Sequence, residues 1–336
     1  MTGGVQCTMK QQYECLSGPL EIVLNITNSC NLNCLHCFNG SSPRQRHSEL
    51  TDEEFLGVVK EICAIKPYNV CFSGGEPLIR RKLLQDSSAA LSSHGIRISL
   101  VTNGILLDES CLERLLKAGV KEVSISLDGI RQDTHELLRK KAGSFQSALN
   151  ALELLKKSGL EAFEPAFTVT RFNADEFEDY VNYFESSGYT RLVARPLVLS
   201  GRAPEHKELL LPSIEQYRKV WRIVNHFNNK GSISLIFSDP ISHIYSYIRG
   251  YPFYGIEMLA DGGLIPSPYI PFRLGNVRLH TIRQYWDAGL PDTWSLPQMK
   301  QLVSCFNKSS DISQVYENAL DLNSAGFDLI DNNLGR

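Results

Sequence analysis

The sequence predicts an α/β protein built around a parallel β-sheet. From about residue 20 to residue 200, short apolar runs alternate with stretches of helical period, which is the pattern of consecutive βα units. A Gly, Pro, Asn or Asp follows each run, as expected where a strand ends. The 336 residues, of which 43% are hydrophobic, can bury the core of one large domain or of two smaller ones.

The predicted strands are short, and each is β-branched or apolar. Six of them are predicted, at residues 20–26, 69–72, 96–101, 122–127, 162–168 and 191–194. Between the first two strands, Thr51 and Glu54 have the spacing of a capping box, which predicts a helix that packs on the sheet. Cys63, Cys71 and Cys111 fall inside these units and are interpreted as small core residues.

Charge and cysteine usage exclude several classes of function. The chain has 34 basic and 37 acidic residues, without the basic stripe that nucleic-acid binding needs. We find no signal peptide and no apolar stretch of about 18 residues, so no membrane partner and a cytoplasmic location are expected. Three of the nine cysteines lie between Cys30 and Cys37, a spacing that favours metal ligation over disulfides.

Those three cysteines, Cys30, Cys34 and Cys37, directly follow the first predicted strand. A loop at this place can turn three thiolates toward one point. Iron–sulfur clusters are usually held by four cysteines, so three ligands leave one iron open to an external ligand. The alternative is a zinc knuckle with His36 as the fourth ligand, because structural zinc requires four protein ligands.

The segment Cys-x3-Cys-x-His-Cys resembles the CxxxCxΦC signature of the radical S-adenosylmethionine (SAM) superfamily, and His36 occupies the Φ position. The resemblance implies that Cys30, Cys34 and Cys37 hold a [4Fe-4S] cluster whose open iron binds SAM. One electron, from a reductant such as flavodoxin or ferredoxin, then cleaves SAM to a 5'-deoxyadenosyl radical. The resemblance also implies that His36 lies near the adenine.

A second motif, Gly74-Gly75-Glu76-Pro77, follows the second strand and resembles the GGEP motif of the same superfamily. There the glycines let the backbone approach SAM, and the carboxylate accepts from the SAM ammonium group. A Gly-Gly-Glu-Pro segment on its own would more often be a turn.

The ends of three later strands carry further motifs. Thr102 and Asn103 follow the third strand, and Ser126 and Asp128 end the fourth; both segments are similar to those that touch the methionine and ribose parts of SAM in the family. Asn-Gly and Asp-Gly are also ordinary turn dipeptides. Thr170, after the fifth strand, is a further candidate for the edge of the SAM site.

Arg139 matches an arginine that pairs with the SAM carboxylate in relatives, a task for which its planar fork is suited. The residue after it is Lys140, where the family usually has Gly.

The resemblance covers residues 20–200 and implies a partial (β/α)6 TIM-type barrel, whose functional loops lie at the C-terminal face. Residues 256–266, 274–277 and 282–286 resemble a SPASM or twitch extension, which holds auxiliary clusters in relatives. Ser267, Pro268 and Tyr269 stand where those proteins have cysteine. We therefore expect an arm at 1–19, the barrel at 20–200, a degenerate SPASM/twitch-like cap at 201–306 and a polar tail at 307–336.

Three functions are open on this basis. The first is the modification of a ribosomally synthesised precursor peptide; the chain ahead of residue 20 is too short for a winged-helix recognition domain, so a separate recognition protein is expected. The second is radical epimerisation, dehydration or decarboxylation of a small metabolite such as a sugar, aminocyclitol or nucleotide. The third is a non-catalytic metal-binding module.

Cys305 is the only cysteine beyond Cys111. A single thiolate cannot hold a cluster, but a thiol at the barrel mouth could donate a hydrogen atom to a substrate radical. The competing interpretation is an ordinary half-buried cysteine of an amphipathic helix.

Overall fold

Parallel strands form the centre of the structure, a computed structural model that describes residues 16–43, 48–237, 254–304, 312–324 and 326–331. The six predicted strands are present within a few residues of their expected ends, and neighbouring strands pair in parallel. The predicted α/β fold class is therefore confirmed. These strands are β1 Glu21–Asn25, β2 Asn69–Ser73, β3 Arg97–Thr102, β4 Val120–Ser126, β5 Ala162–Val169 and β6 Arg191–Pro196.

Four more strands extend the sheet at both edges: β7 Ser234–Phe237, β8 Gly255–Met258, β9 Gly263–Ile265 and β10 Gly275–Asn276. The sheet order is β10-β9-β8-β1-β2-β3-β4-β5-β6-β7. β8 pairs in parallel with β1, whereas β9 and β10 add antiparallel strands beyond it. These strands are short and lie among Gly and Pro residues, so the sequence pattern did not reveal them. The division into domains near residue 200 stays a prediction.

Helices follow the strands and cover the outer face of the sheet. Ile22 and Leu24 of β1 belong to the same buried apolar cluster as Phe55 and Val59 of the first helix. The helices are α1 Asp52–Ile65, α2 Arg81–Ser93, α3 Glu109–Lys117, α4 Gln132–Arg139, α5 Ser144–Lys157, α6 Phe177–Ser186, α7 Lys207–Leu210, α8 Ile214–Lys230, α9 Ile282–Asp287, α10 Pro297–Ser304 and α11 Ile312–Ser324. Short 3-10 helices occur at Pro77–Arg80, Ala174–Glu176, Ala203–His206 and Leu290–Ser295.

The predicted capping box at the start of α1 is confirmed. The Thr51 hydroxyl accepts from the backbone N–H of Glu54 at 3.2 Å, and the Glu54 carboxylate accepts from the backbone N–H of Thr51 at 2.8 Å. In the part of the chain that the structure describes, none of the helices has the length and apolar character required to cross a bilayer.

Side chains of the strands alternate between this helix-covered face and the inner face of the curved sheet. On β1, Ile22 and Leu24 face the helices, and Glu21, Val23 and Asn25 face inward. Cys71 of β2 pairs with Val23 and also faces inward, where it lines a cavity instead of lying in the apolar core. Cys63 and Cys111 are buried in that core, as predicted.

An aromatic cluster anchors α6 on β5. The ring of Tyr180 lies 4.7 Å from that of Phe167 and 4.9 Å from that of Phe184, both edge-on. Tyr180 is fully buried, yet its hydroxyl has no hydrogen-bond partner among the described residues. An unsatisfied buried hydroxyl opposes folding.

Replacing Tyr180 by Phe is therefore expected to raise the free energy of unfolding by about 1 kcal/mol, because it removes the unpaired hydroxyl and keeps the ring. The matched control is Tyr189→Phe, in the same cluster, which removes a hydrogen bond to Glu153 and is expected to leave stability unchanged or lower it. Urea unfolding of both variants tests the expectation. A loss of stability in Tyr180→Phe larger than in the control would contradict it.

Candidate active site

The three predicted cluster cysteines lie on one loop between β1 and α1. The side chains of Cys30 and Cys34 are buried, Cys37 is half-buried, and all three pack with Leu32 and Ile105. Burial raises the pKa of the Cys30 thiol to about 12 and that of Cys34 to about 11. The thiols are therefore shielded from water and need a cationic group to become thiolates.

The two glycines of the Gly-Gly-Glu-Pro motif allow the β2 loop to approach the cluster loop closely. A Cβ atom on Gly74 would lie 2.4 Å from the carbonyl oxygen of Thr27, and one on Gly75 would lie 2.2 Å from that of Ser29. Gly74 also has φ +123°, a conformation that L residues rarely adopt. These glycines thus fix the position of the cluster loop; an approach of their backbone to SAM stays a prediction.

The carboxylate of Glu76 joins the β2 and β3 loops. It is fully buried and accepts from the Thr102 hydroxyl at 2.7 Å, from the backbone N–H of Asn103 at 2.9 Å and from that of Leu78 at 3.0 Å. Pro77 follows at the first position of the 3-10 helix, where it needs no N–H. The predicted contact of Glu76 with the SAM ammonium group stays a prediction.

Asn103 contacts the cluster loop directly. Its side-chain amide donates to Asn31 at 2.7 Å and lies 3.9 Å from the Cys30 sulfur. Its amide oxygen accepts from the backbone N–H of Ile105. The β3 loop is therefore brought beside Cys30, as the order of motifs predicted.

Asp128 is the centre of a buried ionic cluster. Its Oδ2 forms ion pairs with His36 Nε2 at 2.9 Å and with Arg139 Nη2 at 2.6 Å, and Arg139 Nη1 lies 3.9 Å from the Cys34 sulfur. Its Oδ1 accepts from the backbone N–H of Thr168 at 2.8 Å. The structure thus brings together His36, Asp128 and Arg139, three residues that the sequence had placed separately around SAM.

Opposite charges keep Asp128 ionised. Burial alone would raise its pKa, but Arg139 and His36 hold the pKa of this carboxyl well below its usual range. Burial and the Arg139 charge lower the pKa of His135 to about 3. His135 is therefore neutral, and its Nδ1 accepts from the backbone N–H of Asp128 at 3.1 Å.

Asn173, which the sequence analysis missed, connects the fourth and fifth strands. Its amide donates to the backbone carbonyl of Asp128 at 2.9 Å, and its oxygen accepts from the backbone N–H and the hydroxyl of Thr170. Thr170 is fully buried, and these bonds satisfy its polar groups. Ser126, at the end of β4, is half-buried.

Arg202, after β6, was also missed although it clamps the cluster loop. Its guanidinium donates to the carbonyl oxygens of Cys34 at 2.6 Å and Ser41 at 2.6 Å, and its backbone N–H donates to that of Cys37. Gly201, beside it, has φ +59° and packs against the carbonyls of Cys37 and Phe38. The pair Gly201-Arg202 after the sixth strand is the feature of the sequence that could have revealed this contact.

The donor set fits an iron–sulfur cluster better than a zinc ion. Structural zinc requires four protein ligands, and the cluster loop supplies three cysteines. His36, the fourth ligand of the zinc alternative, is engaged with Asp128. Three thiols on one loop without a fourth protein ligand suit a cluster with one open iron.

Two buried donor atoms beside Cys34 have no hydrogen-bond partner among the described residues: Nδ1 of His36 and Nε of Arg139. Such atoms are rare in folded proteins and often mark a ligand site. Lys140 adopts the left-handed conformation, with φ 56°, that Gly would take at this position. The local backbone that presents Arg139 is therefore kept, and the two unpartnered atoms are of the kind that can bind the carboxylate and adenine of SAM.

Below this site, a cavity of about 760 Å³ fills the inner face of the sheet. We call it the lumen. Its lining is strongly charged at the amino ends of the strands, where Arg97 and Arg191 both pair with Glu122, at 3.2 and 3.1 Å. Arg191 also lies 3.6 Å from Glu164.

Glu257 of β8 is in register with the inward-facing Val23 and is buried. Burial raises the pKa of its carboxyl to about 7, against the opposing effects of Asn25 and Arg195. Asn25 donates to Glu257 at 2.6 Å and accepts from Asn39 at 3.4 Å. Because Asn39 follows Cys37 by two residues, Glu257 is connected to the cluster loop through two asparagines.

Comparison with known proteins finds a family model that matches the core. The model of the family described as "Radical SAM superfamily" matches residues 24–184, which include every cluster cysteine and all of the candidate SAM residues. Enzymes of this family use a [4Fe-4S] cluster and SAM.

Relatives with related sequences act on different substrates. The AdoMet-dependent heme synthase of Methanosarcina barkeri is 27% identical over 295 residues, 81% of this chain and 83% of that protein. The PqqA peptide cyclase of Granulibacter bethesdensis is 28% identical over 198 residues, 59% of this chain and 52% of that protein. The chain thus spans about half the length of the peptide cyclase.

Streptococcus suis SuiB, solved bound to its precursor peptide SuiA, has a similar fold with a TM-score of 0.65 and 14% identity, covering 89% of this chain and 70% of SuiB. This likeness supports the partial barrel.

Replacing Gly201 by Ala is expected to lower the iron content of the reconstituted protein at least twofold. A Cβ atom there would lie 2.3 Å from the Phe38 carbonyl and 2.4 Å from that of Cys37, so the cluster loop must move. The matched control is Gly188→Ala, with φ +80° but no atom within 4 Å of the new Cβ. The free energy of unfolding of the control variant should be about 1 kcal/mol lower than that of the wild type, and the variant should retain its iron. Equal iron content in the two variants would contradict the clamp.

Replacing Glu257 by Gln is expected to change how stability depends on pH. The pKa of this carboxyl is raised from 4.5 to about 7 on folding, so the folded state binds more protons and Glu257 lowers stability as pH rises between these values. Between pH 4.5 and pH 7, the free energy of unfolding of the variant should rise relative to that of the wild type by up to about 3 kcal/mol. Urea unfolding at several pH values measures the difference, and a constant offset would disprove the raised pKa.

Proposed function

Because the chain carries a radical SAM domain and is an enzyme of that superfamily, we propose that it modifies a ribosomally synthesised precursor peptide. The observation that carries the proposal is the lumen, a cavity of about 760 Å³ on the inner face of the sheet, whose lining includes four carboxylates and three guanidinium groups among apolar and neutral polar side chains. A peptide segment offers N–H and C=O groups at short intervals, and these can satisfy such a lining.

The relatives add support from outside the structure. The PqqA peptide cyclase is named for a peptide substrate, and SuiB has been solved with a precursor peptide bound. Both share the radical SAM core with this chain.

In this proposal, Cys30, Cys34 and Cys37 hold the [4Fe-4S] cluster. The cluster and SAM together supply the 5'-deoxyadenosyl radical that abstracts a hydrogen atom from the substrate. The loop that carries the cysteines is fixed by Arg202 and by the close approach of Gly75, while the burial of Cys30 and Cys34 excludes water.

The SAM pocket is assigned to the residues that surround Cys34 and Cys30. Arg139 is placed to bind the SAM carboxylate through its unpartnered Nε, and Asp128 holds the guanidinium in position. His36 is placed to donate or accept at the adenine through its unpartnered Nδ1. The remaining members of the pocket are Gly74, Gly75, Glu76, Pro77, Thr102, Asn103, Ser126 and Thr170.

Further parts of the proposal rest on the sequence. A flavodoxin- or ferredoxin-type reductant in the cytoplasm would deliver the electron, and a separate protein would recognise the leader of the peptide. Cys305, the proposed hydrogen donor, lies outside the described residues.

The heme synthase favours a second candidate, a tetrapyrrole substrate, because its similarity extends over 81% of this chain. The lower lumen opposes this candidate in part: the apolar ring of a tetrapyrrole would desolvate Glu164 and Arg191, although its carboxylate side chains offer acceptors to guanidinium groups. A small polar metabolite remains the other competing substrate class.

The test uses anaerobically reconstituted enzyme, SAM and dithionite, with synthetic peptides that correspond to short reading frames beside the gene. A peptide that changes mass only with active enzyme, together with 5'-deoxyadenosine, supports the proposal. Release of 5'-deoxyadenosine with turnover of an iron tetrapyrrole or a small metabolite, and of no peptide, would refute it.

Replacing Cys30, Cys34 or Cys37 by Ala is expected to abolish both the broad cluster absorption and SAM cleavage, because two thiolates do not hold the cluster. Cys63→Ala and Cys111→Ala, two buried cysteines of the helical layer, serve as controls and should keep about four irons per chain. SAM cleavage that survives in any of the three site variants would show that the ligands are assigned wrongly.

A further inference from the structure

The side-chain amide of Asn103 has a fixed orientation on the β3 loop. Its oxygen accepts from the backbone N–H of Ile105 at 3.0 Å, and a backbone N–H can only donate. The backbone N–H of Asn103 itself donates to the carboxylate of Glu76 at 2.9 Å, which holds the residue in place. The amide nitrogen of Asn103 is therefore the end that meets the cluster loop.

The orientation of Asn103 determines that of Asn31, which directly follows the first of the three cluster cysteines. Nδ2 of Asn103 donates to Oδ1 of Asn31 at 2.7 Å. If the Asn31 amide were turned over, two NH2 groups would face each other at this distance, and neither could accept. The oxygen of Asn31 must therefore face Asn103, and its nitrogen is the other end of the amide.

The nitrogen of the Asn31 amide is buried and has no hydrogen-bond partner among the described residues. The residues on either side of it, Cys30 and Leu32, belong to a small buried cluster against which Ile105 packs. A buried amide donor without an acceptor costs about 1–3 kcal/mol. Such a donor is rare in a folded protein and often has a ligand as its acceptor.

The amide of Asn31 lies beside the sulfur of Cys30. Its Oδ1 is 3.8 Å from that sulfur, and Nδ2 of Asn103 is 3.9 Å from the same atom. Two side-chain amides thus surround one of the assigned cluster ligands. The sulfur atoms of an iron–sulfur cluster accept hydrogen bonds, and these bonds are one of the factors that set its reduction potential.

We propose that Asn31 donates an N–H···S hydrogen bond to the [4Fe-4S] cluster and thereby raises its reduction potential, with Asn103 as the positioning residue that orients the amide. Reduction adds one electron, and so one negative charge, to the cluster. A fixed donor stabilises this more negative form more than the oxidised form. The inference rests on the proposed assignment of Cys30 to the cluster, and it holds for any class of substrate.

The experiment measures the midpoint potential of the anaerobically reconstituted cluster without SAM, in a redox titration that follows the EPR signal of the reduced form. The iron content is determined first, so that only loaded protein is compared. Asn31→Ala removes the donor and is expected to lower the equilibrium constant for reduction about tenfold, which corresponds to about 59 mV for a one-electron couple. This is the size expected for loss of one charge-assisted hydrogen bond.

Asn33 offers a matched control, because it lies on the same loop with an exposed side chain. Asn33→Ala is expected to keep the midpoint potential of the wild type. A second variant, Asn31→Asp, can still accept from Asn103 and keeps the shape of the side chain, but it has no N–H to donate. Its potential should fall at least as far as that of Asn31→Ala. Asn33→Asp adds the same charge to the loop and measures how much of this fall is due to charge alone.

A second measurement distinguishes the cluster from SAM as the acceptor. The Kd for SAM of the oxidised, loaded protein is determined by equilibrium dialysis for the wild type and for Asn31→Ala. The two values are expected to be equal, because the proposed hydrogen bond ends on the cluster. A raised Kd with an unchanged midpoint potential would assign the amide to SAM and overturn the proposal.

The remaining outcomes are equally decisive. Equal midpoint potentials in the wild type and Asn31→Ala would disprove the hydrogen bond while the ligand assignment stands. If both Asn31 variants lack iron and both Asn33 variants are loaded, Asn31 serves the structure of the loop, and the proposal is wrong. If the wild type itself holds no cluster, the assignment of the ligands fails, and this inference fails with it.

Discussion

The buried Asp128 carboxylate is the interaction on which the active site depends. It holds Arg139 and His36 by ionic contacts at 2.6 and 2.9 Å, and it accepts from the backbone of β5 at Thr168. One side chain therefore fixes the relative positions of the cluster loop, α4 and β5. Removing either partner of such a buried pair leaves an uncompensated charge, which is far more costly than loss of a surface ion pair.

Around this centre, hydrogen bonds connect the loops that follow successive strands. Glu76 joins the β2 loop to the β3 loop, Asn173 joins β4 to β5, and Arg202 returns from β6 to the cluster loop. Buried polar networks of this kind are favourable only when nearly every member is satisfied. Among the described residues, His36 and Arg139, both beside Cys34, are two of the members that keep an unsatisfied buried atom.

The inner face of the sheet divides into two chemically different zones. In the lower zone, Arg97 and Arg191 pair with carboxylates of neighbouring strands, and the carboxylates outnumber the guanidinium groups. The upper zone contains the exposed side chain of Arg195, which forms no ion pair with the described residues. β8, which carries the buried carboxyl of Glu257, pairs with β1 next to the cluster loop, so the C-terminal segment contributes a strand to the barrel.

The sequence alone determined the fold class, which the structure confirms, and it predicted the cluster ligands, because both depend on local patterns. Hydrophobic alternation predicted six parallel strands, and the spacing of Cys30, Cys34 and Cys37 pointed to three ligands on one loop. The order of the later motifs after successive strands predicted that they would meet, since the carboxyl ends of parallel strands share one face. The capping box at Thr51 is equally local, and it was found as expected.

Only the tertiary structure decided which side chains form ion pairs and hydrogen bonds with one another. Arg139 lies eleven residues after Asp128 and more than a hundred after Cys34, and nothing in their spacing reveals a shared contact. Arg202, Asn173 and Glu257 act through partners from distant strands, and short strands such as β8 gave no periodic signal. Long-range pairing is set by sheet order and register, which bring residues together in space without leaving a pattern in the sequence.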